Sequence, residues 1–325
     1  MVLAVYPGQG SQQPGMGRFL WDNFKEARET YQEASDTLGF ALEKMCFDGP
    51  ESDLVLTENT QPALNATSVA TERVLRSHFG VQISVAAGHS IGEYAAFVGA
   101  GVFSFPDSIR AVRIRGQAMQ AAVPKGVGAM AAVMGLEPQQ IENLCHFVSN
   151  SGKFGQVSPA NYNAPGQIVI SGHATAVTAL GQVDLAEVFG PDAPKRMKLI
   201  PLQVSAPFHC ALMAPAEQKM REVLGGIKFA DAQYPILQNF TAQAESQAAS
   251  LRENLIRQVS GSVRWQQSLA FAAEQGWLLA VEMGHGKVLQ GLLKKIDPRF
   301  EVLGTNSLDD LKALERRLHA KGGSQ

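Results

Sequence analysis

A chain of 325 residues exceeds the usual single domain, so the expectation is one large domain or a large one carrying a smaller insert. With 45% apolar residues, 18% charged residues and a formal net charge of −2, the composition suits a sizeable core. It excludes disorder, a polybasic face and an acidic tail, and with them a nucleic-acid partner.

The first elements alternate short apolar runs with helical stretches. "VLAVY" at 2–6 reads as a buried strand that ends at the turn "PGQG". The same N-terminus lacks the basic and apolar regions of a secretory leader, and no apolar run approaches a membrane span. A cytoplasmic protein is therefore expected. A helix from Gln61 to about His78 leads to a second buried strand in "QISVAAGHS", which breaks at Gly88. Helical periodicity resumes at Ile91 and again after "FPDS", where Asp107 or Ser108 is expected to cap the helix holding Arg110 to Ala122.

Between Gly126 and Gln203 the rhythm changes. Strands are expected in "AMAAVMG", "VSPANY", "QIVISG" and "RMKLIPL", with helices from Pro138 to about Val148 and from Ala174. That βαββαβ order predicts a ferredoxin-like subdomain over 126–203. From His209 onward, helices again alternate with apolar strands at "YPILQN", "LLAVEMG" and "FEVLGT". The flanking segments 1–125 and 204–320 thus predict one α/β domain with a parallel sheet. The tail "KGGSQ" is expected to be flexible. Cys46, Cys145 and Cys210 are odd in number, scattered and without CxxC spacing, so they are expected to be buried free thiols with no metal role.

The heptapeptide "GHSIGEY" places Ser90 in a GxSxG pattern between a strand and a helix. Small flanking residues permit a sharp turn that pushes the hydroxyl out at the carboxyl end of the sheet, under the amino-terminal dipole of the next helix. A serine needs a base to become a nucleophile. His89 adjoins it, but consecutive side chains diverge at a turn. His78, His146 and His319 lie in polar helical contexts, and His173 follows a strand edge. His209, in "SAPFHCALM", sits where an extended segment meets a new helix and is the better candidate, with helix capping as the alternative. Arg115 lies on the helix after "FPDS" with small neighbours Ala111, Gly116 and Ala118, which leave room for a guanidinium to reach a cleft.

"PGQGSQ", "GHSIGEYAA", "RG" at 115–116, "NYNAPGQ", "SAPFHCALM" and "EMGHGKVL" together resemble the malonyl-CoA:acyl carrier protein transacylases, in that family's order and over nearly the whole chain. The resemblance implies a hydrolase-like α/β fold with a ferredoxin-like insert. It implies Ser90 as nucleophile and His209 as base, oriented by the main-chain carbonyl of Gln258. It further implies an oxyanion hole from the amides of Gln9 and Ile91, and Arg115 as the clamp on the malonyl carboxylate. Phe208 then restricts the acyl group, Asn163 meets the thioester arm or pantetheine, and His89 shapes the elbow and the substrate site. Pro207 departs from the family's "xAFH" signature, and His285 stands where proline is common. Malonyl-CoA is implied as substrate and an acyl carrier protein as partner, with no metal or held cofactor, in a monomer serving fatty-acid or polyketide synthesis. Two other readings are a hydrolase that clears stalled acyl groups, against which Arg115 argues, and a silent docking subunit.

Overall fold

The computed structural model describes residues 1–319, so the tail "KGGSQ" lies outside the described residues. Among these, ten strands fall into two sheets: β1 (Val2–Tyr6), β2 (Ile83–Gly88), β3 (Gly128–Met134), β4 (Val157–Ala164), β5 (Gln167–His173), β6 (Lys198–Pro201), β7 (Ile236–Leu237), β8 (Ala244–Glu245), β9 (Leu279–Glu282) and β10 (Glu301–Leu303). The larger sheet has the order β10-β9-β1-β2-β7-β8. Its first five strands are parallel, as expected, but the edge strand β8 pairs antiparallel with β7. Two residues carry no readable periodicity, which is why β8 leaves no trace in the sequence pattern.

β1 and β2 are apolar at nearly every position because both faces of a parallel sheet are covered. Alternate residues enter different cores: Val2, Ala4, Tyr6 and Ala86 pack on one side with the helix Thr57–Phe79. Leu3, Val5, Val85 and Ala87 pack on the other with Trp265 and Leu293. The molecule is thus α/β around its main sheet, with a separate small antiparallel sheet.

That smaller sheet has the order β4-β5-β3-β6, antiparallel throughout, which is the spatial arrangement of a ferredoxin-like βαββαβ unit. Its core is filled from the helices Pro138–Asn150 and Ala174–Leu180. A second short helix, Leu185–Phe189, follows the latter, because the chain leaves helical pairing at Gly181. β4 is stitched to the segment before helix Trp265–Glu274: the Tyr162 amide donates to the Val263 carbonyl at 2.9 Å, and the Val263 amide to Ala160 at 2.8 Å.

The helix carrying Arg115 spans Phe105–Ala121 and is capped by Ser104, whose Oγ accepts from the Asp107 amide at 3.2 Å. The expected caps, Asp107 and Ser108, lie inside it, because Pro106 in the first turn starts the helix earlier. Gly116 serves a different purpose from the expected one. A Cβ there would sit 2.6 Å from Glu58 Cα, so glycine allows this helix to lie against Thr57–Phe79. All three cysteines are buried and free, as expected. No described helix is long and apolar enough to cross a membrane.

The parallel register pairs Tyr6 with Gly88, Val5 with Glu282 and Ala87 with Leu237, so the loops after β1, β2, β7 and β9 leave the sheet at one carboxyl edge. Ligands of open α/β sheets gather there. At this edge the chain turns sharply: Ser90 has φ 51, in the left-handed region. A Cβ on Gly88 would overlap the backbone of Gly92 and Glu93, and one on Gly92 would overlap the Tyr6 carbonyl. Gly92→Ala is therefore expected to destabilise the fold by about 2–3 kcal/mol. An unchanged urea midpoint would contradict this packing.

Candidate active site

Ser90 leaves β2 and precedes the helix Gly92–Gly99. Its amide donates to Asn239 Oδ1 at 2.7 Å, while Asn239 Nδ2 donates to the Gly88 carbonyl at 2.6 Å. Asn239, just past β7, thus clamps the turn from both sides and offsets its backbone strain. Neither the Gln9 nor the Ile91 amide donates to an acceptor among the described residues, and both residues line the cavity beside Ser90. Two unpaired donors beside a hydroxyl are equipped to receive a developing oxyanion.

His209 approaches from the loop before helix Ala214–Gly225, with φ 58. Its Nε2 lies 2.7 Å from Ser90 Oγ, and its Nδ1 lies 2.9 Å from the Gln258 carbonyl. A carbonyl only accepts, so Nδ1 carries the proton and Nε2 faces the serine as an acceptor. The structure therefore brings together Ser90, His209 and the Gln258 backbone. Burial, and then the Arg115 charge, push the His209 pKa down to about 3, so its ring is neutral at pH 7.

Arg115 is 1% exposed. Its Nη2 donates to Ser90 Oγ at 3.2 Å and to Gln258 Oε1 at 2.8 Å, and its Nε has no partner. Ser90 Oγ accepts from the guanidinium, so its own proton is directed to His209. A buried cation with an unused donor is costly unless an anion joins it. Burial accordingly lowers the Arg115 pKa.

The cavity in front of these groups holds about 180 Å³. His89, Asn163 and Phe208 line it, as do Gln61, Met119 and Leu202. His89 Nε2 lies 2.8 Å from Asn163 Oδ1, and the ring packs edge-on against Trp265 at 5.4 Å. It is engaged away from Ser90, and burial lowers its pKa. The other histidines stand elsewhere: His78 meets Glu26, His173 Nδ1 accepts from the Gln156 amide, and His285 bonds with Gln13.

Four side chains of this site were not read from the sequence. Besides Asn239, the Gln258 side chain is as engaged as its backbone: Nε2 donates to the Ser90 carbonyl at 2.8 Å and to Glu93 Oε2 at 2.6 Å. Glu93 also accepts from the Asn239 amide at 2.9 Å. Burial raises its pKa to about 8 against these donors and the Arg115 charge. A lone carboxylate at the start of an otherwise apolar helix, "GEYAAFVG", was the available signal. Gln61, whose buried Oε1 has no partner, gave none.

The acyl transferase domain model matches residues 4–319. The malonyl CoA-acyl carrier protein transacylase of Salmonella typhimurium is 41% identical over 314 residues, covering 97% of each chain. The solved acyl carrier protein S-malonyltransferase of Vibrio cholerae superposes with a TM-score of 0.90 at 41% identity, covering 96% of this chain and 99% of that one. A solved malonyl-transacylase in complex with its type II PKS acyl-carrier protein, in holo form, gives 0.89 at 41% identity, over 97% of this chain and 99% of that one. The family match spans both sheets and every residue of the cavity, and this chain belongs to the acyl transferase domain family, among the malonyl CoA-acyl carrier protein transacylases.

Proposed function

We propose that this chain moves the malonyl group of malonyl-CoA to the phosphopantetheine thiol of an acyl carrier protein through a malonyl-Ser90 intermediate. The observation that carries it is the buried Arg115 guanidinium 3.2 Å from a serine that is itself 2.7 Å from a neutral histidine. One cation beside one nucleophile suits a short acyl chain that ends in a carboxylate.

The malonyl carboxylate joins Arg115. His209 Nε2 takes the Ser90 proton as Oγ attacks the thioester carbon, and the amides of Gln9 and Ile91 receive the oxyanion. Collapse breaks the C–S bond, and the departing CoA sulfur takes the proton from His209. The carrier thiol then gives its proton to His209 and attacks the malonyl-serine, and Ser90 leaves with that proton. Kinetics are ping-pong. The dyad and two amides account for every proton and charge, so no metal or held cofactor enters, and CoA is a substrate. The enzyme acts as a cytoplasmic monomer. Residues 126–203 form a subdomain that covers one side of the cleft, bringing Asn161 and Asn163 to the pantetheine arm.

Presenting malonyl-CoA, acetyl-CoA and methylmalonyl-CoA with and without a carrier protein tests the reading. Malonyl transfer that depends on the carrier is expected. Carrier-independent release of free acid would make the chain a hydrolase instead. Phe208 lines the cavity directly before the base. Phe208→Ala is expected to raise methylmalonyl use about tenfold relative to malonyl, the scale of one methyl group in an apolar pocket. A constant ratio would remove Phe208 from selection.

A further inference from the structure

We infer that Glu93 is a specificity-determining positioning residue: acting through the side-chain amide of Gln258, it fixes the direction in which Arg115 presents its guanidinium to the acyl group on Ser90. The inference rests on the carboxylate-clamp reading above. The four groups form one buried chain. Glu93 is 1% exposed, and Gln258 is fully buried.

The direction of the amide follows from its neighbours. On one side Gln258 Nε2 meets two acceptors, the Ser90 carbonyl at 2.8 Å and Glu93 Oε2 at 2.6 Å. On the other, Oε1 meets a donor, Arg115 Nη2, at 2.8 Å. A flipped amide would set its oxygen against the Ser90 carbonyl and its NH₂ against the Arg115 cation. Glu93 thereby holds the acceptor side of Gln258 toward Arg115. The Asn239 amide holds the other carboxylate oxygen at 2.9 Å, so Glu93 itself is not free to turn.

Arg115 is also oriented from its face, with its guanidinium carbon 5.7 Å from the Tyr94 ring centre. Gln258 is therefore the directional contact: with Ser90 Oγ it holds Nη2, and so sets the plane in which the guanidinium meets the cavity. The reciprocal arrangement links the base to the clamp through one residue. The Gln258 carbonyl orients His209, while its amide orients Arg115.

The test is the ratio of kcat/KM for malonyl-CoA over acetyl-CoA in acyl-enzyme formation. It is measured in Glu93→Gln, in Arg115→Ala and in the double variant. Glu93→Gln should lower malonyl use about tenfold, mostly in KM, and acetyl use by no more than about twofold, the scale of one misdirected charge-assisted bond. In the Arg115→Ala background the same change should leave the ratio where it is, because Glu93 acts only through Arg115. Gln258→Met, which keeps the backbone carbonyl for His209, should reproduce the loss and serves if Glu93→Gln does not fold. Equal losses with both donors, an unchanged ratio, or a shift that persists without Arg115 would each overturn the inference. If Arg115→Ala by itself leaves the ratio unaltered, the clamp reading falls first and takes the inference with it.

Discussion

His209→Ala is expected to slow malonyl-enzyme formation by about 10⁴-fold or more, because it removes the base that accepts the Ser90 proton at 2.7 Å. No other imidazole is placed to replace it, since His89 is bonded to Asn163. The unsubstituted chain also has a defined pH dependence. With the His209 pKa lowered to about 3, the base is already neutral at pH 7. It is lost only by protonation, so kcat/KM should stay level from neutrality down through pH 6 and fall only in stronger acid. A stopped-flow profile with an acid limb near the ordinary histidine value, around 6.5, would contradict the arrangement.

Arg115→Ala should lower the preference for malonyl over acetyl donors by about ten- to hundredfold, the worth of one charge-assisted bond. The same substitution should move the acid limb toward neutrality, because the Arg115 charge is a cause of the low His209 pKa, second to burial. Competition between the two donors in single turnovers measures the first effect. Repeating the pH profile measures the second. A lost preference with an unmoved limb would leave Arg115 a clamp without influence on the base.

The large elements were legible because they rest on local pattern. β1 and β2 are continuous apolar runs ended by glycine-rich turns, and the alternation of helix and strand across 126–203 announced the second sheet. What escaped depends on partners far apart in the chain. Asn239 reaches back 149 residues to the Ser90 amide, and Gln258 reaches 165 residues to Glu93. Neither bond leaves a periodicity or a turn signature. Gln258 was expected only for its carbonyl, since the resemblance assigns a backbone role, while its side chain joins the base, the elbow and the arginine. Gly116 shows the converse. Its small size was readable, but its purpose, the close approach of two helices, depends on a neighbour 58 positions upstream in the chain.

The central claim is that Ser90 carries the malonyl group between donor and carrier. Incubation with labelled malonyl-CoA in the absence of carrier, followed by acid quench and peptide mapping, tests it most directly. The account predicts one malonyl group per chain on the peptide holding Ser90, discharged by added holo-carrier and absent in Ser90→Ala. Label retained in Ser90→Ala, or transfer to the carrier with no labelled enzyme, would contradict it.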